Sequence, residues 1–285
     1  MAEKTIKILS WNIEHFKMNK VKEVAAIIKS YNPDVFGLYE VEAAPIYDFM
    51  LEYFPKHTLF ITKGQQTQEI LVACSNKFEG IKFQQKDQFR SGNPYLRPGA
   101  FLTFRYPLPS KPMYGFLFLH TDSGKTAVDF GNRNEMLLHA FNLKRKLDDS
   151  VNRETNFFIM GDLNTMGLNY PKPYDSNQIA DPDEELVYID YESQRKGKYK
   201  RSPKMRRLSK PSGTYFSTAY GTSDLDHIIS SEHLRFKPKK NYGETGDFEV
   251  RLDGWRKYLN DPEKLKTITE EISDHCLLMC ELIVE

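Results

Sequence analysis

Short runs of apolar, β-branched and aromatic residues recur along the chain and are separated by polar segments. Runs of this length and composition are typical of β-strands. Eight of them predict strands at residues 6–11, 35–39, 70–75, 101–106, 114–120, 157–160, 225–229 and 276–284. The chain is therefore expected to be rich in strand.

Three segments between these runs have helical periodicity. Val21, Val24, Ala25 and Ile28 fall at i, i+3, i+4 and i+7, and Pro33 ends the helix that they predict. Apolar residues between 136 and 147 form a second stripe, and residues 45–53 predict a shorter helix with proline in its first turn. Because several strands follow one another without a helix between them, α+β or mixed layers are favoured over strict βαβ alternation.

Composition supports a folded globular protein. The chain has 285 residues, of which 40% are hydrophobic and 28% charged, and its net charge of +1 provides no overall attraction to a polyanion. No apolar run reaches the roughly 18 residues of a membrane span, and the first residues do not resemble a secretory signal. Three cysteines, within apolar runs, are poor material for disulfides. We therefore expect a cytoplasmic, monomeric protein without disulfides.

One segment, around 175–210, has an unusual charge distribution. Seven acidic residues lie between 175 and 192, and nine basic residues follow between 195 and 210. Gly197 and Pro203 disfavour a continuous helix through the basic part, so the sequence predicts a long charged loop or insertion. The basic residues could pair with the preceding acids, or they could clamp nucleic-acid phosphates while Tyr199 stacks on a base.

Polar residues that cores rarely tolerate occur at the ends of the predicted strands. Any one of them is most often a turn former or helix cap. Together they offer several carboxylates, two asparagine amides and two imidazoles, a set that suits a hard divalent cation such as Mg²⁺. Without thiolates or a His-Glu-x-x-His spacing, a zinc site is disfavoured.

Six short motifs occur in an order that resembles the endonuclease/exonuclease/phosphatase superfamily, which includes deoxyribonuclease I-like enzymes. They are Trp11-Asn12-Ile13, Pro33-Asp34 followed by Leu38-Tyr39-Glu40-Val41, the strand ending in His120, Gly161-Asp162-Leu163-Asn164, Asp226-His227-Ile228-Ile229 and Ser273-Asp274-His275. The resemblance implies one α/β domain over residues 1–285: a four-layered α/β sandwich of two mostly antiparallel β-sheets packed face to face, with helices outside. It also implies metal-dependent hydrolysis of a phosphate ester.

Site residues follow from the same resemblance. It implies a Mg²⁺ site, with Mn²⁺ as a substitute, at Asn12, Glu40 and Asp274. The implied catalytic residues are Asp162, which orients or deprotonates water, Asn164, which holds the phosphate, His275 with its partner Asp226, and His120. It suggests Glu69 as the carboxylate partner of His120 and Arg97 as a substrate-binding residue. The charge of the basic segment adds Lys200, Arg201, Arg206 and Arg207 as expected substrate-binding residues.

Three hypotheses about function follow. The first is a Mg²⁺-dependent nuclease acting on DNA or RNA, and the alternative is a phosphatase or phosphodiesterase acting on a small-molecule or lipid phosphate ester. A binding module that has lost catalysis is disfavoured because every expected catalytic position is filled. Tyr39 replaces a glutamine found in many relatives, and the Arg- and Trp-rich stretch of abasic-site endonucleases is absent at 217–222. These departures disfavour a specialised abasic-site enzyme.

Overall fold

Two six-stranded β-sheets form the framework of the protein in the computed structural model, which describes residues 3–42, 44–64, 68–90, 92–169, 181–196 and 201–284. The strands are β1 Thr5–Phe16, β2 Val35–Val41, β3 His57–Ile61, β4 Glu69–Ser75, β5 Glu79–Lys86, β6 Gly99–Arg105, β7 Met113–His120, β8 Asn156–Asp162, β9 Met205–Arg207, β10 Tyr215–Ser217, β11 Gly221–Ser223, β12 Asp226–Ser231, β13 Val250–Asp253 and β14 Leu277–Ile283.

Each large sheet contains one parallel strand pair and is otherwise antiparallel. The first sheet has the order β13-β14-β1-β2-β4-β3, in which β1 and β2 are parallel. The second has the order β5-β6-β7-β8-β12-β9, in which β7 and β8 are parallel. Strands β10 and β11 form a separate hairpin. This topology confirms the prediction of two mostly antiparallel sheets.

Helices cover the outer faces of both sheets. They are α1 Val21–Tyr31, α2 Ala44–Tyr53, α3 Ala127–Val151 and α4 Pro182–Gln194. A further helix, α5 Pro262–Glu271, instead packs Leu265 and Ile268 against the residues between the sheets. Apolar residues of α1 and α2 share a buried cluster with the first sheet, and those of α3 and α4 share one with the second. The layers are thus helix, sheet, sheet and helix, as the sequence predicts.

A third cluster, lined by both sheets, fills the space between them. Along β8, Phe158 and Met160 point into this central core, whereas Phe157 and Ile159 face the helices, because successive side chains of a strand point to opposite faces. Phe158 stacks on Phe116 with ring centroids 4.4 Å apart. Each such fully buried side chain contributes about 1.5–3 kcal/mol to folding.

The charges of the segment at 175–210 predict a long loop or insertion, but the parts of it that the structure describes contain a helix and a short strand. Residues 182–194 form helix α4, which begins with a capping box between Asp181 and Glu184 and with proline in the first turn. Acidic residues are favourable at a helix N-terminus, where unpaired backbone N–H groups point outward. Residues 205–207 then form β9, which pairs with β12 at the edge of the second sheet.

Two further findings concern the chain as a whole. Cys74, Cys276 and Cys280 are buried free thiols, and burial raises the pKa of each. In the part of the chain that the structure describes, no helix has the length and apolar character needed to cross a membrane.

Candidate active site

Strand register brings the conspicuous polar residues to one edge of the two sheets. In the first sheet Asn12 lies level with Tyr39, the neighbour of Glu40. In the second sheet, Asp162 at the end of β8 pairs in register with His120 on one side and with Asp226 on the other. The motifs are therefore far apart in sequence but adjacent in space.

Asn12 links the two sheets at the centre of this site. Its Nδ2 donates to Glu40 Oε1 at 3.1 Å and to Asp162 Oδ2 at 2.9 Å, while its Oδ1 accepts from the backbone N–H of Glu14 at 3.0 Å. Asn12 is fully buried. In this orientation it is the amide nitrogen, not the oxygen, that faces the carboxylates, so Asn12 holds two acidic groups together.

His275 is held between carboxylates. Its Nδ1 lies 2.8 Å from Asp226 Oδ2, and its Nε2 lies 3.8 Å from both Asp162 Oδ2 and Asp274 Oδ1. Burial opposes a charge on the ring, but the carboxylates of Asp226 and Asp162 outweigh it and raise the pKa of His275 to about 10. These carboxylates therefore favour the protonated, positively charged form of His275.

Asp162 and Asn164 form a tight turn after β8. Burial raises the pKa of Asp162 to about 7, even though its Oδ1 accepts the backbone N–H of Asn164 at 3.0 Å. Asn164 has a left-handed backbone (φ 45°), and its Nδ2 donates to the carbonyl of Thr121 at 3.1 Å. Asp162 is thus a buried carboxyl that changes protonation near neutrality.

His120 completes the central group on the side of β7. Its Nε2 lies 3.6 Å from Asp162 Oδ2 and 3.8 Å from Glu40 Oε1. Burial, followed by the charge of Arg97, lowers the pKa of His120 well below its usual range, so the ring is neutral. Its Nδ1 is buried without a hydrogen-bond partner.

Glu69 does not pair with His120, contrary to the sequence-based expectation. Its carboxylate accepts hydrogen bonds from the Thr62 hydroxyl and the backbone N–H of Gly64, both on the segment that follows β3. Because β3 and β4 are antiparallel neighbours, the start of β4 lies beside this segment. Glu69 therefore stabilises the connection between the two strands.

The donor set fits a hard divalent cation. Ligand atoms of Glu40, His120 and Asp162 lie within 4.8 Å of one another. Asp274 Oδ1 is buried without a hydrogen-bond partner, and burial raises the pKa of Asp274 to about 7, with Glu14 and Glu40 adding to the shift. Unpaired buried carboxylate oxygens are costly unless a cation or donor satisfies them. Glu40 and Asp274 thus offer carboxylate oxygens that could bind a hard divalent cation.

Several neighbours of the site are not among the residues predicted from the sequence. Gln68 Nε2 donates to Glu40 Oε2 at 3.3 Å, and Gln68 Oε1 accepts from Arg97. The Ser273 hydroxyl donates to the Asn12 carbonyl at 2.7 Å, and the Tyr215 ring lies 5.0 Å from the ring of His275. Ser273 belongs to a recognised motif, whereas no sequence signal marks Gln68 or Tyr215.

The expected substrate-binding residues separate into two groups. Arg97 is half-buried beside the site; its Nε has no hydrogen-bond partner, and Glu40 and Asp162 are among the charges that act on it. Arg201 is bonded to Asn152, Arg206 binds both carboxylate oxygens of Glu249 at 2.6 and 2.7 Å, and Arg207 binds both of Asp190 at 2.6 and 2.7 Å. Lys200 and Tyr199 lie outside the described residues.

Strand register also shows where these arginines lie. Arg207 and Arg206 are opposite Ile229 and Ser230, several residues along β12 from Asp226. Arg201 contacts Asn152 at the C-terminal end of α3. The structure therefore brings Arg97 to the site but does not bring these three residues there.

Comparison with known proteins agrees with this geometry. The structure resembles truncated TDP2 from Caenorhabditis elegans (17% identity, TM-score 0.63, 98% of both chains covered). It also resembles TDP2 from D. rerio complexed with single strand DNA product (13% identity, TM-score 0.62, 99% of this chain and 100% of that chain). An endonuclease/exonuclease/phosphatase from Bacteroides vulgatus is similar as well (14% identity, TM-score 0.60, 99% and 100% covered).

These likenesses, at such low identities, establish the fold. No curated protein matches the sequence. The model of the endonuclease/exonuclease/phosphatase family matches residues 9–275, a span that contains all six motifs. The chain belongs to the endonuclease/exonuclease/phosphatase family.

Proposed function

We propose that this protein is a Mg²⁺-dependent phosphodiesterase that hydrolyses phosphodiester bonds of DNA or RNA. The observation that supports this most strongly is the buried array of Asn12, Asp162, His275 and Asp226, joined by contacts of 2.8–3.8 Å, with Glu40 beside it. Members of this family are generally metal-dependent phosphoric ester hydrolases. The product bound to the D. rerio protein supports a nucleic-acid substrate.

In this proposal the role of each side chain depends on its protonation state. Asp162, with its pKa raised to about 7, accepts a proton from the attacking water. His275, kept positive by Asp226, offsets the charge that develops on the phosphate oxygens. Neutral His120, whose Nε2 lies 3.6 Å from Asp162 Oδ2, donates a hydrogen bond to the substrate through that nitrogen. Mg²⁺ at Glu40 and Asp274 would supply further positive charge to the phosphate.

The proposal assigns phosphate contact to Arg97 and excludes Arg206 and Arg207. The guanidinium of Arg97 lies close enough to the site to interact with its carboxylates and retains an unpartnered N–H. In contrast, bidentate pairing with Glu249 and Asp190 neutralises the other two. A monomer in the cytoplasm remains the expectation from the sequence.

The proposal is tested by incubating the protein with supercoiled plasmid, single-stranded DNA, RNA and a small phosphodiester, each with Mg²⁺, Mn²⁺ or EDTA. We expect metal-dependent cleavage of a polynucleotide and none in EDTA. Metal-dependent release from the small ester without polynucleotide cleavage would instead favour the alternative substrate class. Cleavage that persists in EDTA would contradict the proposed role of the metal.

A further inference from the structure

Lys20 is a buried lysine whose ammonium group donates its hydrogen bonds to backbone carbonyls. It ends the short 3₁₀ helix Met18–Lys20 that precedes α1, and only 8% of it is exposed. Its Nζ donates to the carbonyls of Ile13, Glu14 and Ile272 at 3.2, 2.6 and 3.0 Å. An ammonium has three donors. These three bonds therefore use the full donor capacity of Lys20.

The three carbonyls belong to two chain segments that both carry site residues. Ile13 and Glu14 directly follow Asn12 on β1, and Ile272 lies two residues before Asp274. A second link, the bond from the Ser273 hydroxyl to the Asn12 carbonyl at 2.7 Å, joins the same segments. Lys20 is therefore a cross-brace between the segment with Asn12 and the segment with Asp274.

The braced backbone is strained and surrounded by negative charge. Glu14 has a left-handed backbone (φ 43°), a conformation that is unfavourable for a non-glycine residue and persists only where neighbours enforce it. Three carboxylates, those of Glu14, Asp274 and Glu40, act on the ammonium of Lys20. Without a brace, mutual repulsion would drive Glu14 and Asp274 apart.

We infer that Lys20 is a positioning residue that sets the spacing of Asp274 from Asn12, which holds Glu40, for divalent-cation binding. The inference rests on the metal site of the proposed function and adds a requirement for a buried ammonium. No side-chain atom of Lys20 would contact the cation or the substrate. Its effect passes through the carbonyls of Ile13, Glu14 and Ile272.

Whether replacing Lys20 weakens or tightens cation binding distinguishes a positioning role from a purely electrostatic one. A positive charge near a cation site weakens cation binding, so removing that charge alone would tighten it. Loss of the brace would displace a carboxylate ligand, and the protein would then bind the cation more weakly. Lys20→Met tests these opposite outcomes, and we expect the Kd for Mn²⁺, measured by calorimetry without substrate, to rise at least about tenfold.

A matched control is available in Lys144. This lysine is also fully buried, and its Nζ is 2.5 Å from Asp148 Oδ2 in the C-terminal half of α3, on the far side of the second sheet. Lys144→Met should lower the thermal midpoint without changing Mn²⁺ affinity. Lys20→Arg, which keeps a cationic donor group, should retain more affinity than Lys20→Met. If Lys20→Met does not remain folded, Lys20→Gln takes its place.

The outcomes distinguish this inference from the proposed function. Unchanged or tighter Mn²⁺ binding in the folded Lys20 variant would overturn the inference while leaving the metal site intact. An equal loss of affinity in Lys144→Met would also overturn it, because the effect would then reflect general destabilisation. If the unsubstituted protein binds no Mn²⁺, both the inference and the proposed metal dependence are overturned.

Discussion

At the residue scale, the site depends on ionisable groups that are buried together. Asp162, Asp226 and His275 are each less than a tenth exposed, and a single imidazole separates the two carboxylates. Burial and proximity move the pKa of Asp162 up to about 7 and that of His275 up to about 10. A carboxyl group and an imidazole whose pKa values are both raised thus lie 3.8 Å apart.

Replacing Asp162, the proposed proton acceptor, should abolish most of the proposed activity without unfolding the protein. Asp162→Asn keeps the shape of the side chain but cannot accept a proton from water, so we expect turnover to fall about 100-fold or more. Circular dichroism checks the fold, and Asp183→Asn, at an exposed position in α4, serves as the control. Full activity in purified Asp162→Asn would contradict the assigned role.

A second residue-scale prediction concerns Glu249, away from the site. Burial opposes its charge, but hydrogen bonds from Arg206 and Ser209 outweigh burial and lower the pKa of Glu249. Its stabilisation is therefore fully present above the unfolded value near 4.3 and is lost as the pH falls through the lower folded value. We expect Glu249→Gln to cost about 1–2 kcal/mol at pH 7.

Urea denaturation at several pH values measures this effect. The difference between Glu249→Gln and the unsubstituted protein should shrink below about pH 4. Glu52→Gln makes the same charge change at an exposed position of α2. A difference that stays constant from pH 7 to pH 3 would show that Glu249 stabilises the fold by packing, independently of its charge.

At the element scale, buried polar pairs connect helices to the loops around the site. Arg133 of α3 is fully buried and donates to both carboxylate oxygens of Glu185 in α4 at 2.9 and 3.1 Å. It also donates to the carbonyls of Gly124 and Gly167 at 2.6 and 2.8 Å, in the loops that follow β7 and β8. One guanidinium therefore holds two helices and two loops.

Removing one partner of this pair should be strongly destabilising. Arg133→Met leaves the carboxylate of Glu185 buried without its cation, which costs about 3–5 kcal/mol. Chemical denaturation measures the loss. In the double variant Arg133→Met/Glu185→Gln no uncompensated charge remains, so we expect it to be more stable than the single variant. Equal or greater loss in the double variant would contradict an ionic origin.

The elements that the sequence predicts best are those with a continuous apolar pattern. Strands β2, β4, β7 and β8 are buried over nearly their whole length, and their runs are plain in the sequence. Strand β5 alternates charged and apolar residues at a sheet edge, and α4 has acidic residues in its first turn, so neither has such a run. Their formation depends on neighbouring strands and on capping.

The site residues likewise divide into those that the sequence marks and those that it does not. The strand-end residues could be predicted because carboxylates and imidazoles are unusual beside buried strands. The roles of Lys20 and Gln68 could not be predicted. Their hydrogen-bond partners lie as far as 252 and 29 residues away in the sequence, and local sequence patterns do not indicate such distant contacts. The predicted pairing of Glu69 with His120 is wrong for the same reason, since the sequence does not show which way a side chain turns at a strand end.

At the scale of the whole molecule, the small net charge conceals local pairing. Much of the basic segment that suggested a nucleic-acid clamp is paired with acidic side chains, as the bidentate contacts of Arg206 and Arg207 show. Arg97 is proposed to contact phosphate, whereas Arg206 is paired with Glu249, so substitutions of these two arginines should differ in their effect. Replacing an arginine should weaken nucleic-acid binding only if that arginine contacts a phosphate.

We expect Arg97→Met to weaken binding of single-stranded DNA about tenfold, whereas Arg206→Met should leave it unchanged within about twofold. Fluorescence anisotropy at several salt concentrations, with the inactive Asp162→Asn background to prevent cleavage, measures both. Equal losses in the two variants would restore the clamp hypothesis. No loss in Arg97→Met would remove Arg97 from the substrate path.

Strand β14 lies between β13 and β1 in the first sheet, and its partner β1 comes from the beginning of the chain. Ser273 and Asn12, which are hydrogen-bonded, are 261 positions apart. During translation, the ribosome would release Asn12 and Glu40 long before Asp274 and His275 emerge. A nascent chain would thus pair β1 with β2 but lack β14 on the other side of β1 and hold only half of the site, so the proposed hydrolysis would begin only after synthesis has passed β14.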